Sequence, residues 1–173
     1  MRIPSSPSLG RTLRLVRDAM LGALLICSKE ALAALPGVEI VSTLLVAYAV
    51  VYRARAFVPL YVFVAVEAVL YPSVISTIMY LYIWAILVGA VLLLPKRILP
   101  APVYMLVSGL FGLLFGALCA PAQALYFGLT FQGMWAWIIA GLPFDIPHGI
   151  SNAALGLLVP PLCRLLQRLE TQG

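Results

Sequence analysis

Residues 133–163 read GMWAWIIAGLPFDIPHGISNAALGLLVPPLC, an apolar run that nevertheless holds an aspartate, a histidine and an asparagine. As one helix rising about 1.5 Å per residue it would measure roughly 46 Å, against a hydrocarbon core of about 30 Å. A break is therefore expected, and Gly141 with Pro143 offers one. Glycine is favoured just past a helix end and proline in the first turn of the next helix. The remainder, 143–163, would measure roughly 31 Å and fit the core. QGMWAWIIA (132–140) then becomes a short helix or re-entrant segment. Its Trp135 and Trp137 would sit at the membrane interface, where such rings prefer to lie. Asp145 falls in the first turn of the last span, where the positive end of the helix dipole favours a carboxylate.

The rest of the chain is built in the same way. Of 173 residues, 64% are hydrophobic and only 10% charged, and the mean hydropathy is +1.08. Soluble domains carry about 25% charged residues. The composition therefore indicates an all-α integral membrane bundle. A ruler of about 20 residues per crossing gives six spans: 18–35, 38–52, 56–71, 74–94, 102–127 and the last one at 143–163. Residues 1–17 and 165–173 are left as tails flanking a transmembrane domain at 18–164, and IPSSPS (3–8) reads as disordered. The first apolar run continues as a full-length span, so it does not read as a cleavable signal peptide.

Charge sets the expected orientation. Arg2, Arg11, Arg14 and Arg17 precede the first span, Arg53 and Arg55 follow the second, Lys96 and Arg97 the fourth, Arg164 and Arg168 the sixth. All ten fall on one side of a six-span topology, with Lys29 alone toward the other, and the positive-inside rule puts both termini in the cytoplasm. The net charge of +5 thus serves orientation and does not imply nucleic acid. Cys27, Cys119 and Cys163 lie in apolar segments without metal-binding or CxxC spacing, and read as buried small hydrophobes.

Asp145, His148 and Asn152 are spaced three and four apart, so on a helix they stack on one face and descend roughly 10 Å inward from the outer surface. Capping and ordinary interhelical hydrogen bonds would account for any one of them. Three on one face favour a pocket wall, because intramembrane ionisable groups are functional by default. Glu39 at the start of span two and Glu67 near the end of span three add carboxylates at the same outer level. Tyr80 and Trp84 share a face of span four by their spacing of four, whereas Tyr82 points elsewhere. An aromatic belt explains Tyr71 and Tyr126 equally well. Small residues form two seams. Ala19, Ala23, Cys27 and Ala31 lie along span one, and Ser108, Gly112, Gly116 and Ala120 along span five. Such seams let helix backbones approach closely. The second reads as internal packing; the first is the better candidate for an outside partner.

The segments ALPGVEIVS (34–42), YLYIWAILVG (80–89), SGLFGLLFGALCA (108–120) and GLPFDIPHGISNAALG (141–156) resemble the S-component of energy-coupling factor (ECF) vitamin transporters. The resemblance covers roughly residues 15–165. It implies a substrate-binding membrane subunit of a prokaryotic cell membrane with six helices and cytoplasmic termini. It implies a substrate held by Pro36 to Glu39 (Gly37 among them), Tyr80 to Trp84, Trp135 to Trp137, Asp145, His148 and Asn152. It further implies docking of a transmembrane coupling subunit on Ala19 and Ala23, with two ATPases completing the importer. The chain departs from the family pattern at Gly37, where asparagine is frequent, and at Pro147, beside His148. There is no GxxxxGK[ST] loop, so the chain is expected to be a transporter subunit without its own ATPase, not an enzyme, and no cofactor or metal is expected. A proton-coupled carrier using Glu67, Asp145 and His148 ranks lower, because such carriers are usually repeats with helices broken near the midplane. An intramembrane metallohydrolase ranks lower still, because a single histidine offers too few zinc ligands.

Overall fold

The backbone of the computed structural model is described for residues 7–35 and 37–172, and over these it is all-helical. The helices are α1 (Pro7–Leu32), α2 (Val41–Tyr52), α3 (Phe57–Leu70), α4 (Val74–Leu92), α5 (Ala101–Leu113), α6 (Phe115–Phe127), α7 (Phe131–Leu155) and α8 (Val159–Gln172). Tight 3₁₀ turns at Arg53–Ala56 and Gly156–Leu158 join α2 to α3 and α7 to α8. Four helical stretches are long and apolar enough to cross a membrane: Val41–Leu70, Val74–Leu92, Ala101–Phe127 and Phe131–Thr171. Runs such as VSTLLVAYAVVY in α2 are rich in β-branched residues, which only weakly favour helix in water. In lipid every backbone polar group must be satisfied within the segment, and helix is the outcome.

Contacts between helices give the direction of each pass. Asp18 pairs with Arg55, Gly22 lies against Pro59 and Val62, and Lys29 pairs with Glu67, so α1 and α3 run parallel. α2 runs the other way: Tyr52 at its end carries the Arg17 guanidinium 4.6 Å over its ring, and Ser42 at its start meets Asn152. The run Val41–Leu70 therefore reverses at Arg53, the one non-glycine residue described with positive φ (54°). Its guanidinium donates to the carbonyls of Leu92 and Leu94 and ties the turn to the end of α4. α5–α6 and α7 are antiparallel, with Gly116 against Asp145, Gly112 against Asn152, Gly109 against Ala153 and Gly156 against Met105. Helix α2 sits in the middle, with every residue from Val41 to Ala49 buried. Leu25, Leu60, Phe63, Trp84, Tyr104, Val159 and Cys163 complete the same core.

The structure corrects three sequence expectations. No break occurs at Gly141 and Pro143: α7 runs through both Pro143 and Pro147, and the interruption comes later, at Gly156–Leu158. The cause is tertiary. A Cβ at Gly112 would lie 2.8 Å from Asn152 Nδ2, and one at Gly149 3.1 Å from Leu113 Cβ, so α7 is held flush along α5. Neighbouring helices and local adjustment let prolines persist inside such helices. At Gly156 an added Cβ would come within 2.6 Å of Met105 Cα, and Pro160 and Pro161 follow in the first turn of α8, a position proline tolerates. Helix α1 already begins at Pro7 and α8 continues to Gln172, so most of both expected tails is helical. Of the segment expected to be disordered, residues 3–6 lie outside the described residues. Finally, Cys119 and Cys163 are buried as expected, whereas Cys27 is exposed.

The two small-residue seams differ in burial. Ser108, Gly112, Gly116 and Ala120 are buried, while Ala19, Ala23, Cys27 and Ala31 are all exposed along the outside of α1.

Candidate functional site

Three adjoining cavities lie where α1 ends, α2 begins and α4 passes. The middle one, about 240 Å³, is lined by Lys29, Gly37, Val38, Glu39, Tyr80, Trp84, Phe115 and His148. A polar neighbour of about 190 Å³ shares Lys29 and Tyr80 and adds Glu67, Tyr71, Ser76 and Thr77. A third, about 300 Å³, shares Gly37, Phe115 and His148 and reaches Pro143, Phe144, Asp145 and Pro147.

Local sequence explains how each wall is placed. Ser73 caps α4, its hydroxyl accepting from the Ser76 N–H at 3.4 Å, which fixes the phase of the helix behind it. Tyr80 and Trp84 then meet edge to face at 5.9 Å, while Tyr82 turns away to donate to the Leu118 carbonyl at 2.6 Å. Rings continue from Trp84 to Phe115 (5.9 Å) and from Phe115 to His148 (5.2 Å). Gly37 has φ +75°, a backbone geometry side chains rarely adopt, and an added Cβ would lie 3.3 Å from Pro147. Glycine at this position thus lets the α1–α2 connection lie on α7. Glu39 accepts from the Ser42 N–H at 3.0 Å and from the Ser42 hydroxyl, closing the first turn of α2, and sits 3.8 Å from His148 Nε2.

Asp145, His148 and Asn152 do share one inward face of α7, but they do three different things. Asp145 is not in a first turn, because α7 starts at Phe131 under the Thr130 cap. Its carboxylate instead accepts from the Gly116 N–H at 3.1 Å. The interruption at Leu114 separates α5 from α6, and Asp145 accepts from Gly116 two residues beyond it. A Cβ at Gly116 would collide with that carboxylate, which explains the glycine. His148 lines the middle cavity, with Nε2 buried and, among the described residues, without a hydrogen-bond partner. Asn152 is fully buried beneath it, donating to the Ser42 hydroxyl at 3.4 Å.

Of the residues expected to bind substrate, Gly37, Glu39, Tyr80, Trp84 and His148 thus line one cavity, and Glu67 and Asp145 line its neighbours. Asn152, Trp135 and Trp137 line none of the three. Trp135 is exposed and edge-on to Phe131 at 6.2 Å, and Trp137 packs against the core. Lys29 and Phe115 were missed. Lys29 pairs with Glu67 and stands 4.7 Å from the Tyr71 ring centroid and 5.8 Å from that of Tyr80. A lone lysine inside an apolar span was itself the signal, since such a charge needs a partner. Its neighbour Glu30 faces elsewhere, accepting from Tyr71 at 2.7 Å. Among the described residues no three of His, Cys, Asp and Glu gather as a metal site would need. No family model, curated protein or solved structure matches the chain.

Proposed function

We propose that this chain is the substrate-binding subunit of an ECF-type importer in a prokaryotic cell membrane. It captures a vitamin or similar small molecule at the outer face. A separate transmembrane coupling subunit and two ATPase subunits deliver it inward. On this reading the chain crosses the membrane six times with both termini cytoplasmic. The observation that carries the reading is the ring-walled cavity between Lys29, Glu39, Trp84 and His148, at the end of the bundle opposite the arginine-rich end. Concave, mostly apolar sites with a few placed polar groups are the usual form of a small-molecule site. The exposed Ala19 and Ala23 on α1 support docking of the coupling subunit, because small residues let another helix approach.

Mass spectrometry of small molecules released from the detergent-solubilised, purified chain tests the capture role. One compound should be recovered at near-equal amounts with the protein. His148→Ala should lower its retention roughly five- to a hundredfold, the effect of removing one buried polar partner. Recovery of nothing but detergent and lipid would end the reading.

A further inference from the structure

Three residues that line the cavities each carry a buried polar atom without a hydrogen-bond partner among the described residues, and these atoms set what a ligand would have to offer. Trp84 is 3% exposed, lines the middle cavity, and its indole N–H has no acceptor. Glu67 is 4% exposed and lines the polar cavity; Lys29 engages its Oε2, while Oε1 is buried without a donor. His148 Nε2 is the third such atom, beside Phe115. An indole N–H can only donate and a carboxylate oxygen only accept. Leaving such groups unmet is costly, so a ligand that satisfies them gains affinity.

The two chambers differ in character. The middle one is walled by the rings of Tyr80, Trp84, Phe115 and His148 and suits a flat ring. The polar one brings Glu67, Ser76 and Thr77 together, and Lys29 and Tyr80 belong to both. At about 240 Å³ the ring chamber lies below the roughly 300–1,000 Å³ of drug-sized pockets, which selects a small ring system. The Lys29–Glu67 pair leaves the polar chamber near electrical balance, so a fully charged inorganic cation gains little there, while a single O–H or N–H donor gains Oε1.

Resting on the capture reading above, we propose that the ligand is a flat ring bearing a hydrogen-bond acceptor, held against Trp84 and His148, with a short arm. The arm ends in an O–H or N–H donor that reaches Glu67. The acceptor requirement lives in the ring chamber and the donor requirement in the polar chamber, so the two can be separated.

The test uses three probes on the purified full chain, with affinities read by ligand-observed NMR. 3-Pyridinemethanol has ring acceptor and donor arm, 3-methylpyridine lacks the donor, and benzyl alcohol lacks the ring acceptor. 3-Pyridinemethanol should bind at least about fivefold more tightly than either of the others. Trp84→Phe should remove its advantage over benzyl alcohol, and Glu67→Gln its advantage over 3-methylpyridine. Trp84 is packed in the core, so should Trp84→Phe fail to fold, the ranking on the unaltered chain and the Glu67→Gln result still decide. Equal binding of the three probes, or binding of none, overturns the proposal. In that event a small molecule still recovered from the purified chain leaves the capture role standing with a ligand of another class; its absence removes both.

Discussion

At one end of the bundle Asp18, nearly fully buried, is held between Arg17 at 3.0 Å and Arg55 at 2.9 Å. Arg17 also reaches Glu170 on α8 at 2.7 Å and lies over the Tyr52 ring. At the other end Lys29, Glu39, Glu67 and His148 gather around cavities, and among the described residues Glu67 Oε1, Trp84 Nε1 and His148 Nε2 have no hydrogen-bond partner. Both ends bury charge in an apolar chain, but only one closes its hydrogen bonds internally. A carboxylate with two guanidiniums ties α1, the α2–α3 turn and α8 together and asks nothing of a visitor. A cluster with orphaned donors and acceptors leaves hydrogen bonds that something from outside can complete. The arginine end is saturated, and the cavity end is not.

The largest expected effect tests the saturated end. Asp18→Ala removes the acid and leaves two guanidiniums facing a pocket built for it. Breaking a buried pair costs about 3–5 kcal/mol, and the partial solvation of both arginines places this case near about 3 kcal/mol. The melting temperature in detergent should fall sharply, while the fraction that stays folded should retain its co-purified small molecule. A variant that melts like the parent would dissolve the contrast between the two ends.

A smaller effect is expected at the joint between scaffold and site. Gly116→Ala drives a methyl into the Asp145 carboxylate and should cost about 1–3 kcal/mol, as overpacking does. Asp145→Asn keeps an oxygen for the Gly116 N–H, and Asp145→Ala does not, so thermal melting should rank Asn well above Ala. Equal melting of the two would mean that Asp145 does not hold the α5–α6 interruption. Asp145 would then return to the ligand-binding set.

What the sequence made legible follows from what periodicity can see. Spacing alone put Tyr80 with Trp84, and Asp145 with His148 and Asn152, because both patterns live on one helix. The gathering of Arg17, Arg53 and Arg55 at one end followed from counting charges between apolar runs. What escaped depends on a second helix. Pro143 looked like a break because its own segment argues for one; the continuity of α7 is enforced by α5 glycines three dozen residues away. Lys29 finds Glu67 across 38 positions, and Phe115 meets the cavity just past the interruption at Leu114, which the contact of Gly116 with Asp145 of α7 accompanies. Trp135 and Trp137 were assigned to the site by resemblance alone, and they line none of the three cavities.

The smallest expected change in stability carries the partner reading. Ala19 and Ala23 are exposed on α1, one turn apart, and the same face continues through Cys27 and Ala31. Replacing both alanines with leucine adds apolar volume where no part of this chain is packed, so stability should move by no more than about 0.5 kcal/mol. Retention of the small molecule should not change either, because the cavities lie at the other end of α1, near Lys29. Co-purification of the coupling subunit, by contrast, should be lost, since a close helix–helix approach fails once leucine fills the seam. The three readouts separate the alternatives. A stability loss would mean that the seam packs against this chain after all, and undiminished co-purification would move the docking surface off α1. Only an unchanged fold, an unchanged ligand and a lost partner together make the exposed alanines a contact for another subunit.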